Sequence, residues 1–577
     1  MLDHDHDQST VTPTITPTIT PTITPTITPT TWTPPGPGTW NQDRAHLPNA
    51  VTPLLQEIYP AAFARGFAET VAPFGVLLDT VSMEFVNGFP YAQPIPFDAP
   101  GPEGPRSMDY IVAEVGRRSA VAEQAFEKRI WRDTLRLWDD EIKPQSIARH
   151  LTLSSVELSA LDTEGLRSHL DECIKHLGAM WFQHHRFNLM TMVPVGDFVL
   201  HASAWTDRPP SPLFAVFDGW SPVSSIMNPE IEPAVRALKA NPDAQALLDG
   251  DRPAAQRLTE LRSLVPEVDE YVRSVGYRIA AGFDLTNPTV IERPDIVLGR
   301  LFAAIAHDTD GSKARAEALA QELRTAVPEE HRADFDEKLH EARMMYRLRD
   351  ERGLYSDASA VGILRLALIE LGRRLHDEKR INFMYDTLDL TAGEINALLD
   401  GASSPTAEEH SARVALRKSR SAAGAPHSLG PDATPPPPLD QLPAPLARVM
   451  GAFGFVLSGV SGQIATPSDD VDTVIGIGGS AGIYEGPARI VRNFDDLLTL
   501  EDGDVLVTTA TGESFNSFLH VVGAIVTDHG SFASHAAIMG REMGFPTVVG
   551  THNGTRRIPN GALVRVDGST GTVTILG

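Results

Sequence analysis

One cysteine, Cys173, stands in 577 residues. Its isolation excludes an intramolecular disulfide and suits a reducing cytosol. No run of 18 or more apolar residues occurs, so no membrane-spanning helix is expected. Basic residues are few beside acidic ones: 49 Lys and Arg against 75 Asp and Glu, a formal net charge of −26. That balance excludes a broad electrostatic footprint for nucleic acid or an anionic membrane. The opening MLDHDHDQST has no basic segment followed by an apolar one, so no secretory signal is expected. The phosphate-loop pattern G-x-x-x-x-G-K-[ST] is missing as well. These absences describe a cytoplasmic globular protein of several domains.

The composition changes along the chain. Residues 1–39 carry a Thr/Pro/Ile repeat (TPTITPTITPTI…), whose regular prolines block helix and ladder alike and predict a disordered tail. The DHDHD run in that tail reads as solvated, so no metal site is assigned. From residue 40 to 418 apolar residues recur three and four apart, as in LDTEGLRSHLDECIKHLGAMWFQHHRFNLM, which predicts long packed helices. GFPYAQPIPFDAPGPEGP reads as a proline-rich connection between them. Residues 419–445, with four consecutive prolines among Ala, Ser and Gly, read as a linker. From 446 to 577 short β-branched runs divided by Gly, Asp and Asn predict a compact α/β domain. Within it VDGSTGTVTIL predicts a hairpin, and GIGGSAG a turn rather than a nucleotide cradle.

One stretch in that last domain concentrates chemistry: TDHGSFASHAAIMGREMGFPTVVGT, residues 527–551. A strand-like run leads to Gly530, Ser531, Ser534 and His535, where a helix is predicted to begin with Ser534 or Ser531 as cap. Free backbone N–H groups and the positive dipole end favour a dianion there. Gly530 leaves room for a close-approaching phosphate, and imidazole is a competent nucleophile near neutral pH. A single histidine in a helix is more often structural. The motif as a whole argues otherwise.

This stretch closely resembles the phosphohistidine signature of the phosphoenolpyruvate-utilising enzymes, T-x-x-G-G-x-x-S-H-x-A-I followed by an A-R-E-like segment and G-x-P-x-V-V-G. Thr527, Gly530, Ser534, His535, Ala537, Ile538, Arg541, Glu542, Gly544, Pro546 and Gly550 match; Ser531 replaces the second glycine, and Gly540 the alanine. The resemblance implies a swivelling domain in which His535 carries a phosphoryl group, with Gly530, Ser531, Ser534 and Arg541 binding phosphate.

The helical region extends the resemblance. TWNQDRAHLPNAVTPL is similar to the W-x-x-D-x-x-H-x-P opening of the acceptor-binding domain of rifampin phosphotransferase and its relatives. YVRSVGYRIAAGFDLTNPTVIERP resembles their segment around a G-H-R triplet, here Gly276, Tyr277 and Arg278 without the histidine. Trp40, Asp43, His46 and Arg278 are thereby candidates to bind the acceptor. His184 and His185 invite a metal or acid/base role, but neighbours on a helix point about 100° apart and form no chelate face.

The implied fold class is multidomain: a mostly α-helical acceptor-binding domain followed by a small α/β phosphohistidine (swivelling) domain. Full-length relatives begin with an ATP-grasp domain, and nothing here resembles one. The expectation is therefore a phosphotransferase subunit serving a small hydroxyl-bearing acceptor, with ATP and Mg²⁺ held by a separate ATP-grasp protein. Phosphoenolpyruvate as donor, a condensing-ligase component and a non-catalytic phosphohistidine carrier are the alternatives.

Overall fold

The computed structural model describes residues 31–577 except 45, 48, 102–103, 281, 307–310, 421–423, 434, 462–469, 493, 498, 513–514, 516–517 and 520. The repeat at 1–30, with DHDHD, lies outside the described residues. The fold class follows the expectation, a large helical unit joined to a small α/β unit.

Helix Thr163–Arg186 organises the helical unit. Asp162 caps it by accepting from the Gly165 N–H at 2.7 Å, and Leu166, Leu170, Cys173, Leu177 and Trp181 bury one face. That face packs between helices Pro53–Val71 and Asp357–Asp377. The crossing with Pro53–Val71 is close at Gly66, where a Cβ would come 2.7 Å from His185 Cβ and 2.8 Å from the Phe182 carbonyl. Among the described residues no helix is long and apolar enough to cross a membrane.

The helical unit also contains a sheet that helical periodicity did not announce. Strands β1 (Trp40–Gln42), β2 (Leu78–Val86), β3 (Phe89–Pro96) and β4 (Ser428–Leu429) lie in the order β2-β3-β1-β4. The first half of the segment read as a proline-rich connection is β3, whose Phe89 and Tyr91 are fully buried. Pro94 and Pro96 are tolerated because β1 pairs only with Tyr91 and Ala92, leaving β3 an edge beyond them.

Two expected boundaries shift. Residues 31–39 lie on this sheet, with Trp32 6.0 Å from Phe89 and 6.3 Å from Tyr91 between ring centres. The linker read at 419–445 is anchored: Leu429 and Ala425 are buried, and the Tyr91 hydroxyl donates to the Pro426 carbonyl at 2.8 Å. Helix Ala444–Ser461, assigned from sequence to the last domain, instead buries Leu446, Val449, Ala452 and Phe453 in the helical unit. Gly196 lets it in, since a Cβ there would stand 2.1 Å from the Ala452 carbonyl oxygen. Proline runs signal extended backbone, not detachment, and the apolar residues flanking them do the anchoring.

The α/β unit begins at β5 (Thr473–Ile475) and continues with β6 (Ile477–Ser480), β7 (Ile483–Val491), β8 (Asp504–Thr508), β9 (Val522–Thr527), β10 (Thr547–Val549), β11 (Leu563–Asp567) and β12 (Thr572–Ile575). Their order is β5-β12-β11-β7-β8-β9-β10-β6, with β7 to β10 mutually parallel. β11 and β12 form the expected hairpin. Parallel strands send their following loops to one edge of the sheet, and the loops after β8 and β9 both emerge there.

Candidate active site

His535 is the first residue of helix His535–Met543, which Gly544 closes at φ +81°. The loop before it turns at Gly530 (φ +119°), where a Cβ would stand 2.8 Å from Ser534 Oγ. Ser531 is buried, and its carbonyl accepts from the Ser534 N–H at 2.8 Å. Ser534 is the capping residue by backbone position, yet its Oγ makes no cap bond and is buried without a partner. His535 Nδ1 meets Thr511 Oγ1, from the loop after β8, at 2.9 Å. Nε2 is buried and has no partner among the described residues. With Nδ1–H donated to Thr511, the lone pair lies on Nε2. Burial lowers the imidazole to about 4; Arg349 adds to the shift and Asp350 opposes it. The ring is thus neutral at pH 7.

Arg349 and Asp350 belong to the helical unit, on helix Leu348–Leu354. Arg349 Nη2 donates to the Ala533 carbonyl at 2.5 Å, two residues before His535, while its Nη1 is buried without a partner. Asp350 Oδ2 accepts from Ser221 and Ser224 hydroxyls, each at 2.6 Å. One turn on, Arg352 Nη1 donates to the His184 carbonyl at 3.0 Å, and its Nε is buried without a partner. Burial brings Arg352 down to about 10, still cationic at neutral pH. Two orphaned guanidinium N–H groups, a free hydroxyl and a free imidazole nitrogen therefore occur in adjoining segments. Buried donors are rarely left unmatched, and this set matches an oxyanion such as a phosphoryl group.

Behind Arg352 lie two histidine–aspartate pairs. His184 Nδ1 is 2.8 Å from Asp357 Oδ1, and His46 Nδ1 is 2.9 Å from Asp43 Oδ2. Burial pushes Asp357 up to about 7. It also drives His184 well below the usual range, with Arg352 and His46 reinforcing the shift. His46 moves the other way, because the Asp43 carboxylate raises it. Asp43 also acts across the junction, raising His529 of the α/β unit against the lowering caused by burial.

His535, Gly530, Ser531 and Ser534 thus lie together at the helix start, whereas Asp43 and His46 lie with Arg352 and His184, and Asp43 acts on His529 of the α/β unit. Three residues read as site residues lie elsewhere. Arg541, read as a phosphate ligand, is turned away: Nε donates to Asp218 Oδ1 at 3.1 Å and Nη1 to the Gly479 and Phe532 carbonyls. Its position nearly two turns past the helix start accounts for this. Trp40 is a core residue of β1, its indole N–H donating to the Gly36 carbonyl at 3.1 Å. Arg278 holds Glu230 with both terminal nitrogens, at 2.6 and 2.7 Å. Sequence reasoning missed Thr511, Arg349, Asp350, Arg352 and Asp357. The signal was the run RLRDERG, too densely charged for a segment lying between two buried helices.

Comparison with known proteins finds two family models that match parts of the chain. Residues 500–571 match the family model described as the PEP-utilising enzyme mobile domain. Residues 199–350, ending at Asp350, match the rifampicin phosphotransferase fourth domain. Chondramide synthase cmdD of Chondromyces crocatus is 27% identical over 566 residues, covering 93% of this chain and 14% of that protein. The uncharacterized phosphotransferase YvkC of Bacillus subtilis is 27% identical over 352 residues, covering 59% of this chain and 40% of its own. A rifampicin phosphotransferase of Bacillus cereus is 26% identical over 322 residues, covering 54% and 34%. The chain thus spans 40% or less of the length of these three relatives. The match to the mobile domain thus falls within the α/β unit, and the match to the fourth domain within the helical unit, where it includes the Gly276–Tyr277–Arg278 segment.

Proposed function

We propose that this chain is the carrier and acceptor part of a phosphotransferase. His535 Nε2 takes a phosphoryl group from ATP, held with Mg²⁺ by an ATP-grasp partner, and delivers it to a small hydroxyl-bearing molecule bound by the helical unit. The observation that carries this reading is the orphaned Nε2 of a neutral imidazole at a helix start, facing Arg349. Gly530, Ser531 and Ser534 shape the phosphoryl site, and Arg349 and Arg352 balance its charge. Phosphoryl transfer rests mainly on such positioning and charge stabilisation. Relatives named rifampicin phosphotransferase act, by that name, on a small molecule, which supports an acceptor of that class.

Among the described residues no group of three or more His, Cys, Asp or Glu could hold a metal ion. No step is assigned to Mg²⁺ within this chain. Phosphoenolpyruvate as donor is the second reading, favoured by a relative named phosphoenolpyruvate synthase that is 40% identical over 110 residues.

Intact-protein mass spectrometry decides between donors. Wild type and His535→Ala are incubated with ATP–Mg²⁺, with phosphoenolpyruvate–Mg²⁺, and with ATP–Mg²⁺ plus a candidate ATP-grasp protein. An acid-labile gain of one phosphoryl group, on wild type alone and only with that protein, is expected. A gain with phosphoenolpyruvate alone moves the donor to the second reading. No gain with any donor removes the carrier role.

A further inference from the structure

Resting on that carrier reading, we propose that His184, positioned by Asp357, is the base that deprotonates the acceptor hydroxyl during transfer from His535. Three histidines cluster behind Arg352, and their bonding separates them. His185 has no nitrogen to spare: Nε2 bonds the Tyr59 hydroxyl at 3.0 Å and Nδ1 faces Asn188 Nδ2 at 3.5 Å. His46 is half-exposed, and the Asp43 carboxylate stabilises its protonated form. His184 bonds only through Nδ1, to Asp357 Oδ1 at 2.8 Å. Asp357, the first residue of its helix and 3% exposed, accepts that bond. With Asp357 ionised, above about pH 7, His184 donates through Nδ1, which leaves Nε2 with a lone pair and no protein partner among the described residues. A carboxylate behind an imidazole with its far nitrogen open is the arrangement that takes a hydroxyl proton.

Its place suits the task. Arg352 Nη1 holds the His184 carbonyl, and three residues earlier Arg349 holds the Ala533 carbonyl beside His535. Three residues of helix span about 4.5 Å, so one short helix ties the base to the carrier loop.

In the step itself, the acceptor oxygen attacks the phosphorus on His535 Nε2. The O–P bond forms as the P–N bond breaks, and the electron pair returns to His535 Nε2, leaving a neutral ring with Nδ1–H on Thr511. The hydroxyl proton moves to His184 Nε2, and the Asp357 carboxylate balances the imidazolium.

Phosphoramidate, a donor that needs no partner protein, tests this with methanol as the probe acceptor. Loading of His535 is followed by intact mass, and discharge by methyl phosphate appearing in ³¹P NMR, between pH 6 and 9. The full chain is compared with His184→Gln and Asp357→Asn. Both variants are expected to load like wild type, which also reports that the fold survives. Discharge in both is expected to fall by about 10²-fold, and the rise of its rate as Asp357 ionises near pH 7 to flatten in both. Discharge at the wild-type rate with an unchanged pH profile in a loaded His184→Gln protein overturns the inference, as does a defect confined to Asp357→Asn. A wild type that takes up no phosphoryl group overturns the carrier reading, and the base with it.

Discussion

Arg541 Nε stands 3.1 Å from Asp218 Oδ1, and both side chains are largely buried. The pair joins the helix that starts at His535 to the helical unit. Phe532 packs beside it on Phe214 and Phe455, with ring centres 5.4 and 5.2 Å away. Arg315 Nη2 donates to the Arg541 and Glu542 carbonyls at 3.0 Å. An arginine whose position in the motif suggested a phosphate ligand is therefore a latch, and the latched arrangement presents His535 to Arg349 and Asp350. A carrier needs such a docked state at the acceptor and must also leave it.

Removing Asp218 leaves the Arg541 guanidinium buried beside the two carbonyls it already binds. Breaking a buried pair in this way costs about 3–5 kcal/mol, and here the loss falls on docking. Asp218→Ala is expected to enlarge the radius of gyration in X-ray scattering. It should also slow discharge of phosphorylated His535 without slowing its loading from phosphoramidate. Unchanged scattering together with unchanged discharge would mean that the latch holds nothing.

Docking should also respond to pH through His535. Burial holds the docked ring at about 4, whereas a ring released to solvent regains a value near 6.5. The released form therefore binds more protons. The docked state loses stability as pH falls through about 6.5, continues to lose it to about 4, and changes no further below that. His529 is pulled down by burial at the same junction and acts in the same direction. Scattering at pH 7.5 and pH 5 should show expansion at the lower value, reduced in His535→Gln. Expansion of equal size in that variant would assign the effect to other groups.

The long signature around His535 made the α/β unit and the place of His535 at a helix start legible, because each of its residues answers a local demand. Gly530 turns the loop, Gly544 ends the helix, and β-branched runs build parallel strands. The rest of the site depends on contacts that no local pattern records. Thr511 reaches His535 across 24 residues, Arg349 reaches Ala533 across 184, and Asp357 reaches His184 across 173. In the sequence His184 stands out only beside His185, with which it forms no chelate face. Its partner is instead the first residue of a helix read only as an amphipathic segment. The anchored linker escaped for a related reason: the buried residues of helix Ala444–Ser461 find their surface on Asn188–Thr206, far back in the chain.

Thr511 is the hydrogen-bond partner of His535 Nδ1. Thr511→Val keeps the shape but leaves Nδ1 buried without a partner, at about 1–3 kcal/mol. Loading from phosphoramidate should slow by roughly 5- to 150-fold on that basis, and Thr511→Ser, which keeps the hydroxyl, should recover most of it. Loading at the wild-type rate in the valine variant would remove Thr511 from the site.

Gly530 and Gly544 bracket the His535 helix and separate strain from chemistry. Both have left-handed backbone, at φ +119° and +81°, so alanine at either is strained by about 1–3 kcal/mol. Their surroundings differ. A Cβ at Gly530 would press on Ser534 Oγ at 2.8 Å and on Ser534 Cβ at 2.9 Å, whereas one at Gly544 would meet nothing within 4 Å. Gly530→Ala must therefore displace Ser534, the residue that precedes His535. Both variants should lose comparable thermal stability, but only Gly530→Ala should fail to take up a phosphoryl group from phosphoramidate. Equal losses of loading would mean that uptake follows the stability of the helix, and that the space in front of its first turn plays no part.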